Sequence, residues 1–506
     1  MEPLAPAMQS DLESLAHLSE SDKAPIEVGE REKTILGDQN TTQVNNVSPR
    51  LEPKNWAPAR KWTATLLLSA FAFLQPLSET MLSPVEKNIS KDLHITKAYE
   101  WLLVNSLILI GIGLAPLILA PLSEVYGRKP VLVVGSIVFV VWNTGCGAAR
   151  TLGQMLAFRL LSGFGASVAD ALAGGVMGDL WRAEERGKAF AVFMAAPLLG
   201  PALGPICGAF ISEGVDWRWV FWIISIASAV TIVLAVVFLR ETYLPKLQQL
   251  AADKRARTSS GGAVEAKDKK EKFLMDMRVN LQRPLRMLTT QVIIQLLAGY
   301  MSILYGTMFL FLFMYPTMWT KQYNQGVGIG SLNYISFAIG LIIGVTIAGR
   351  LSDRVYSRLK ARNGGVGRPE FRIPTMAIGT ALVPVGLLWW GWSGEAKVHW
   401  IVPNLGSLVF AAGIYMCSTS VSVYTIDAYT QYAASAVSTN LVARSLSSAL
   451  FPLFAPYMFN ALGFGLGATA LACGFVVIGT VVVFILWFYG DRLRARSPYC
   501  AAETED

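Results

Sequence analysis

Twelve stretches of this sequence are long and apolar enough to cross a bilayer: 62–83, 99–120, 131–149, 152–178, 188–212, 218–239, 291–318, 330–350, 373–392, 399–425, 432–462 and 467–489. A hydrocarbon layer about 30 Å thick takes about 20 helical residues at about 1.5 Å each, so each stretch meets the minimum for a spanning helix or comes within a residue or two of it. The 506 residues are 53% hydrophobic and only 15% charged, which gives more apolar surface than a soluble core buries. The runs are continuous and lack the ten-residue alternation of membrane strands, so the predicted class is an all-α membrane protein.

The first and second halves repeat one another. The decapeptide APLSEVYGRK at 120–129 returns as GRLSDRVYSR at 349–358, each time joining two apolar runs. Glu124 answers Asp353, and Arg128 with Lys129 answers Arg358. A charged hairpin in corresponding places of two hydrophobic halves is the pattern of a duplicated transporter. The expected layout is an N-tail over 1–60, a six-helix bundle over 61–240, a linker over 241–290, a second six-helix bundle over 291–490 and a C-tail over 491–506. The linker contains the polar stretch TSSGGAVEAKDKKEK; it is read either as a plain tether or as carrying a surface amphipathic helix near Phe273 to Met287.

Charge sets the expected orientation, because positive loops stay cytoplasmic. With both termini inside, inner segments hold 34 of the 43 Lys and Arg residues. The net charge of +8 is then a topology signal, and a nucleic-acid partner, which needs a basic face on a folded domain, is not indicated. Five scattered cysteines lack CxxC spacing, so neither disulfides nor a metal site is expected. No signal peptide is expected, the first helix serving as an uncleaved signal. Asn88 heads a glycosylation sequon in the first outer loop. No HExxH, GxSxG or phosphate-cradling GxxxxGK is present, so the chain is read as neither an enzyme nor a nucleotide-driven pump.

Charges within spans need a partner or a watery cavity, because an ionised side chain at the bilayer centre costs at least about 2.5–3.5 kcal/mol. Arg159, Asp170, Asp427 and Arg444 fall in this class, with Glu79 near the outer end of the first helix. Arg159 and Asp170 lie about three turns apart on one helix face, lining one path without touching. A fixed cation lowers the pKa of a nearby carboxylate and desolvation raises it, which permits reversible proton exchange. Asp427 is read as either a gate or a cavity residue, and Asp179 as a gate or helix cap. The fifth span carries Pro197, Gly200, Pro201, Gly204, Pro205 and Gly208; the prolines bend it, and glycines four apart admit a close neighbour. Tyr300, Tyr305, Asn333, Tyr415 and Tyr424 are candidate cavity residues for an amphipathic or cationic cargo.

LAFRLLSGFGA at 156–166, GPALGPICGA at 200–209 and the two hairpins resemble the signature segments of the major facilitator superfamily. The likeness is to its twelve-helix drug:proton antiporter branch, over about residues 56–490. WRWVFWI at 217–223, RET at 240–242, PEFRIP at 369–374 and IDAYTQYAASA at 426–436 resemble fungal members related to polyamine and multidrug exporters. Ala120, Val125 and Ala209 depart from the usual pattern. The resemblance implies two six-helix bundles around a central pathway, with Arg159 as the proton-coupling arginine joined by Asp170 and Glu79. It makes Glu124, Gly127, Arg128, Lys129, Asp353, Arg354, Asp179, Asp427 and Arg444 parts of a gate or latch. It also makes Gly200, Pro201, Gly204, Pro205 and Gly208 a hinge that limits leak. The expected function is proton-coupled export of a drug-like or secondary-metabolite compound across the plasma membrane, with the vacuolar membrane as the alternative. The partners implied are protons, a small-molecule cargo and lipid; no cofactor is implied, and a monomer is expected. Uptake by symport and a transporter-like sensor are the competing functions.

Overall fold

The computed structural model describes residues 52–258, 286–429, 433–497 and 499–500, and among them there is no strand. The proposed surface helix at 273–287 lies, but for its last two residues, outside the described residues. Residues 52–55 of a first compact unit form a short 3-10 turn, Pro53–Asn55, and all that follows concerns the second unit, Trp56–Asp506.

The helices are α1 Pro58–Thr80, α2 Ala98–Tyr126, α3 Arg128–Ala148, α4 in two pieces Leu152–Ala166 and Val168–Leu180, α5 Ala183–Gly214 and α6 Trp219–Phe238. After a short helix Leu244–Thr258 come α7 Val292–Lys321, α8 Tyr334–Arg362, α9 Ile373–Glu395, α10 Ile401–Ala428 and α11 Ala433–Leu450, which runs through a 3-10 turn to 462. A final helix, α12, covers 464–495. Among the described residues, by length and composition ten helices could span a membrane, one of them a 61-residue stretch, Ser435–Ala495, and the bent pair within α5 makes an eleventh. The long stretch is two spans. Gly463 has φ +76°, outside helical space, and beyond it the chain doubles back. The rings of Phe459 and Phe464 lie 5.5 Å apart, and a Cβ at Gly467 would sit 2.8 Å from Phe459. In a continuous helix, residues eight apart are about 12 Å apart along the axis. The Glu395 carboxylate accepts from the Phe464 and Gly465 backbone N–H groups at 2.7 and 3.3 Å, capping α12. Ten, the bent pair and this division make twelve.

Packing repeats as the sequence does. In the first half α1 packs on α5 and α6, α2 on α4, and α3 on α4 and α6; in the second, α7 packs on α11 and α12, α8 on α10, and α9 on α10 and α12. The two halves meet along α2 with α11 and α5 with α8, which is one contact seen twice through the same pseudo-symmetry. The outer faces carry apolar stripes at helical spacing, such as Ile223, Ile226, Val230, Val233 and Val237 on α6, with Val237 66% exposed. Apolar residues exposed in such stripes face lipid. Both charged hairpins lie at one end, here the hairpin end; the α1–α2 and α7–α8 connections lie at the far end.

Candidate functional site

At the hairpin end, Gly127 separates α2 from α3 with φ +102°, and a Cβ there would collide with Glu241. Glu241 caps α3: its carboxylate accepts from the backbone N–H groups of Arg128 at 2.8 Å and Lys129 at 3.1 Å, where the helix dipole favours an anion. The Arg128 side chain meets Asp179 at 3.2 Å, donates to the Ser123 hydroxyl and lies 5.0 Å from the Tyr243 ring. Burial, then the Glu124 charge, push the Tyr243 phenol above its ordinary range. Lys129 donates to the Val236 carbonyl at 2.9 Å.

The second half repeats this constellation with a different arginine. Arg372, at the entry to α9, meets Asp427 at 3.2 Å, Asp353 at 2.9 Å and the Ser352 hydroxyl at 3.1 Å, and lies 4.3 Å from the Tyr356 ring. Asp427 ends α10 as Asp179 ends α4. The decapeptide alignment therefore paired Arg358 with Arg128 wrongly: the second connection is longer, and the cation that completes it comes 14 residues later. Asp427 thus belongs to the hairpin constellation, and Arg354 is exposed on α8. A further tie fixes α12 to this end, where Arg494 grips Glu370 through two bonds of 2.8 and 3.0 Å. Sequence reasoning missed Glu241, Arg372, Glu370 and Arg494. The RET and PEFRIP segments, noted only as family-like, were the available signal.

Deep between the halves lies a second cluster. Glu79 near the end of α1 is within electrostatic range of Asp170 and Arg159 on α4 and of Arg444 on α11. Arg444 in turn senses Tyr305 and Tyr415, so helices of both halves contribute. Its guanidinium donates to the Tyr305 hydroxyl at 3.2 Å and lies 4.8 Å from that ring, a cation–π distance. Tyr305 also bonds Ser418 at 3.0 Å. Glu79 accepts from the Gln75 amide at 3.1 Å. Arg159 is 0% exposed; its Nε donates to the Val104 carbonyl at 3.0 Å, and both terminal nitrogens lack a hydrogen-bond partner. Glu79, Asp170, Arg444 and Tyr415 are half-buried, as groups lining a space between bundles would be. The break in α4 at Ser167 lies between Arg159 and Asp170.

Arg444, expected at the gate, thus belongs to the central cluster. Three of the five expected cavity residues lie elsewhere. Tyr300 is 0% exposed and bonded to Thr380 at 2.8 Å inside the second bundle, and Asn333 is tied to Gln325 and Asn404 at the far end. Tyr424 is buried toward the hairpin end beside Glu370. Tyr305 and Tyr415 remain at the cluster.

The glycine face of α5 abuts α1. A Cβ at Gly200 would lie 2.5 Å from the Pro76 ring, one at Gly204 would collide with the Thr80 hydroxyl, and one at Gly208 would collide with the Met81 carbonyl oxygen and lie 2.9 Å from its carbon. Pro201 and Pro205 are buried along the same stretch. Asn88 is exposed on a short helix, Glu86–Asp92, at the far end. Among the described residues no group of three or more His, Cys, Asp or Glu could hold a metal ion.

Among the described residues, twelve helices in two pseudo-symmetric bundles, with ionic groups half-buried between them, define a membrane carrier. The sequence profile of the Major Facilitator Superfamily matches residues 68–452, and the chain belongs to that family. It is therefore a multi-pass transporter of small molecules and not an enzyme. It is 41% identical over 449 residues to the efflux pump vrtL of Penicillium aethiopicum, covering 89% of each chain. It is 40% identical to an uncharacterized transporter of Schizosaccharomyces pombe, over 88% of this chain and 91% of that one. Among solved structures, the xylose transporter XylE from E. coli in a partially occluded inward open conformation superposes with a TM-score of 0.63 at 15% identity, over 85% of this chain and 98% of that one.

Proposed function

We propose that this protein is a proton-coupled exporter of small amphipathic organic compounds, working by alternating access in the plasma membrane with both termini cytoplasmic. The observation that carries the reading is the central cluster: two carboxylates and two guanidiniums from both bundles, with Glu79 within range of the other three in a low-dielectric setting. A carboxylate there is stabilised by Arg159 or Arg444, or else neutralised by a proton. A cationic or amphipathic cargo competes with the proton for the same charge, so one enters as the other leaves. Tyr305 and Tyr415 offer the aromatic face such a cargo needs.

Several contacts support alternating access. At the far end, Glu213 on α5 accepts from the Gly328 backbone N–H at 2.9 Å, and Glu86 is within electrostatic range of Lys321. Each pair joins one bundle to the other. The ion pairs Arg128–Asp179 and Arg372–Asp427 instead stay within their own bundles at the hairpin end. Such an arrangement suits a carrier closed on the far, extracellular side. The likeness to an efflux pump of Penicillium aethiopicum supports export over uptake. The hairpin constellations would act as the cytoplasmic latch and the α5 glycine face as a low-leak hinge. Protein in liposomes, given a proton gradient and a fluorescent amphipathic cation such as ethidium, is expected to move the dye against the proton flow. Glu79→Gln is expected to abolish the response to the gradient. Dye movement that ignores the gradient in both proteins would refute the reading.

A further inference from the structure

Behind the central cluster, within the first bundle, α1, α3 and α6 share a polar column with two levels. At the level nearer the far end, Asn143 of α3 fills the space: its amide donates to the Phe221 carbonyl at 2.8 Å and to the Ser225 hydroxyl at 2.9 Å, and its oxygen accepts from Ser78 at 3.4 Å. Three residues back along α1 stands Gln75, seven back along α3 stands Ser136, and three onward along α6 stands Ser228. These spacings return each helix to about the same face, so the three meet again one to two turns nearer the hairpin end. Here α3 presents a serine where the other level has an asparagine, and a cavity of about 10 Å³ lies between Gln75, Ser136, Ser228 and the break in α4. The Gln75 Oε1, Ser136 Oγ and Ser228 Oγ atoms all lack a hydrogen-bond partner, although their residues are only 8%, 3% and 1% exposed.

We propose that this cavity is a binding site for one water, which completes Gln75 and through it positions Glu79. The volume is about the least that holds one water, and three convergent polar groups are the number a buried water takes. The hydrogen bonds balance. With Glu79 ionised, Gln75 must turn its Nε2–H to the carboxylate, as it does at 3.1 Å. Its Oε1 then faces the cavity and accepts one O–H of the water; the other O–H goes to one serine, and the second serine donates to the water oxygen. When Glu79 is protonated its O–H can donate to Oε1 of a turned amide, and the same water accepts from Nε2–H instead. One water therefore serves both protonation states, where a fixed side chain would favour one. Gln75 is a positioning residue. The charged or titratable groups facing Glu79 from the other elements are Asp170 and Arg159 of α4, Arg444 of α11 and, more distantly, Tyr415 of α10.

This inference deepens the proton-coupled reading, and its test separates the two. In a density map of the unaltered protein sharp enough to show ordered solvent, a peak is expected within hydrogen-bond reach of Gln75, Ser136 and Ser228. The pair Ser136→Asn and Ser136→Val then asks what the water does. The asparagine, whose amide can bridge as Asn143 does, is expected to keep the pH profile of dye exchange. The valine fills the space without polar groups and weakens the Gln75 bond to the ionised carboxylate, moving the profile's midpoint upward by about one pH unit. A cavity without density, or a valine variant with an unmoved profile, overturns the proposal. If the peak is present but Glu79→Gln leaves proton-driven exchange intact, the water site stands and the functional reading fails.

Discussion

Arg159 concentrates the physical problem of this molecule in one side chain: a guanidinium 0% exposed, with one hydrogen bond and two unpartnered nitrogens. Stability alone does not explain such a group, because a buried charge replaced by an apolar side chain of similar volume is often neutral or stabilising, by about 1–4 kcal/mol. Arg159→Met is accordingly expected to keep or raise the melting temperature in detergent while reducing proton-driven exchange to background. A variant that unfolds would make the arginine structural instead. Residues of this kind were legible in the sequence because a charge in hydrocarbon is costly wherever it occurs, so Glu79, Arg159, Asp170 and Arg444 stood out. Tyrosines carry no such cost. Tyr300 and Tyr424 read the same as Tyr305, and only packing separates them. Gln75, neutral and short of any motif, gave no signal at all.

At the scale of the element, α1 and α5 touch through glycine. Gly208→Ala would press a methyl group to 2.9 Å from the Met81 carbonyl carbon, a backbone atom that cannot swing aside. Overpacking of this kind costs about 1–3 kcal/mol, so the melting temperature should fall by several degrees. An unchanged melting temperature would mean that the two helices are not in contact. The α3 N-terminus makes a second case. Glu241→Ala removes the anion capping it and leaves the Arg128 and Lys129 N–H groups without that acceptor, a loss of about 1 kcal/mol. Lower stability with the profile of bound cargo unaltered is expected, and equal stability would deny the cap. The glycine and proline spacing of α5 disclosed its kink and close face directly. The spans read at 432–462 and 467–489 likewise bracket Gly463, where the chain turns between α11 and α12. Arg372 escaped the sequence reading because an alignment of decapeptides cannot see past a connection of different length.

For the whole molecule, the repeated helix pairings and the paired contacts α2 with α11 and α5 with α8 describe two bodies that could rock on one another. The decapeptide repeat disclosed that duplication, since equal hairpins require equal surroundings. The contacts across the halves were not readable, as they join residues with no shared pattern. Glu213 and Gly328 offer a handle, because a Cβ at Gly328 would lie 3.2 Å from the Glu213 carboxyl carbon. In a protein stripped of its five native cysteines, Glu213→Cys with Gly328→Cys should cross-link under oxidation, stop transport and regain it with reductant. Full transport by the cross-linked protein would rule out opening at the far end.

The central claim is that cargo and proton exchange at one ionic cluster between two rocking bundles. It is tested most directly by following dye and pH together in liposomes that carry the purified protein. An outwardly imposed dye gradient alone should drive protons the opposite way, in wild type and not in Arg159→Met or Glu79→Gln. Dye flux of equal size in all three proteins, with no accompanying proton movement, would contradict it.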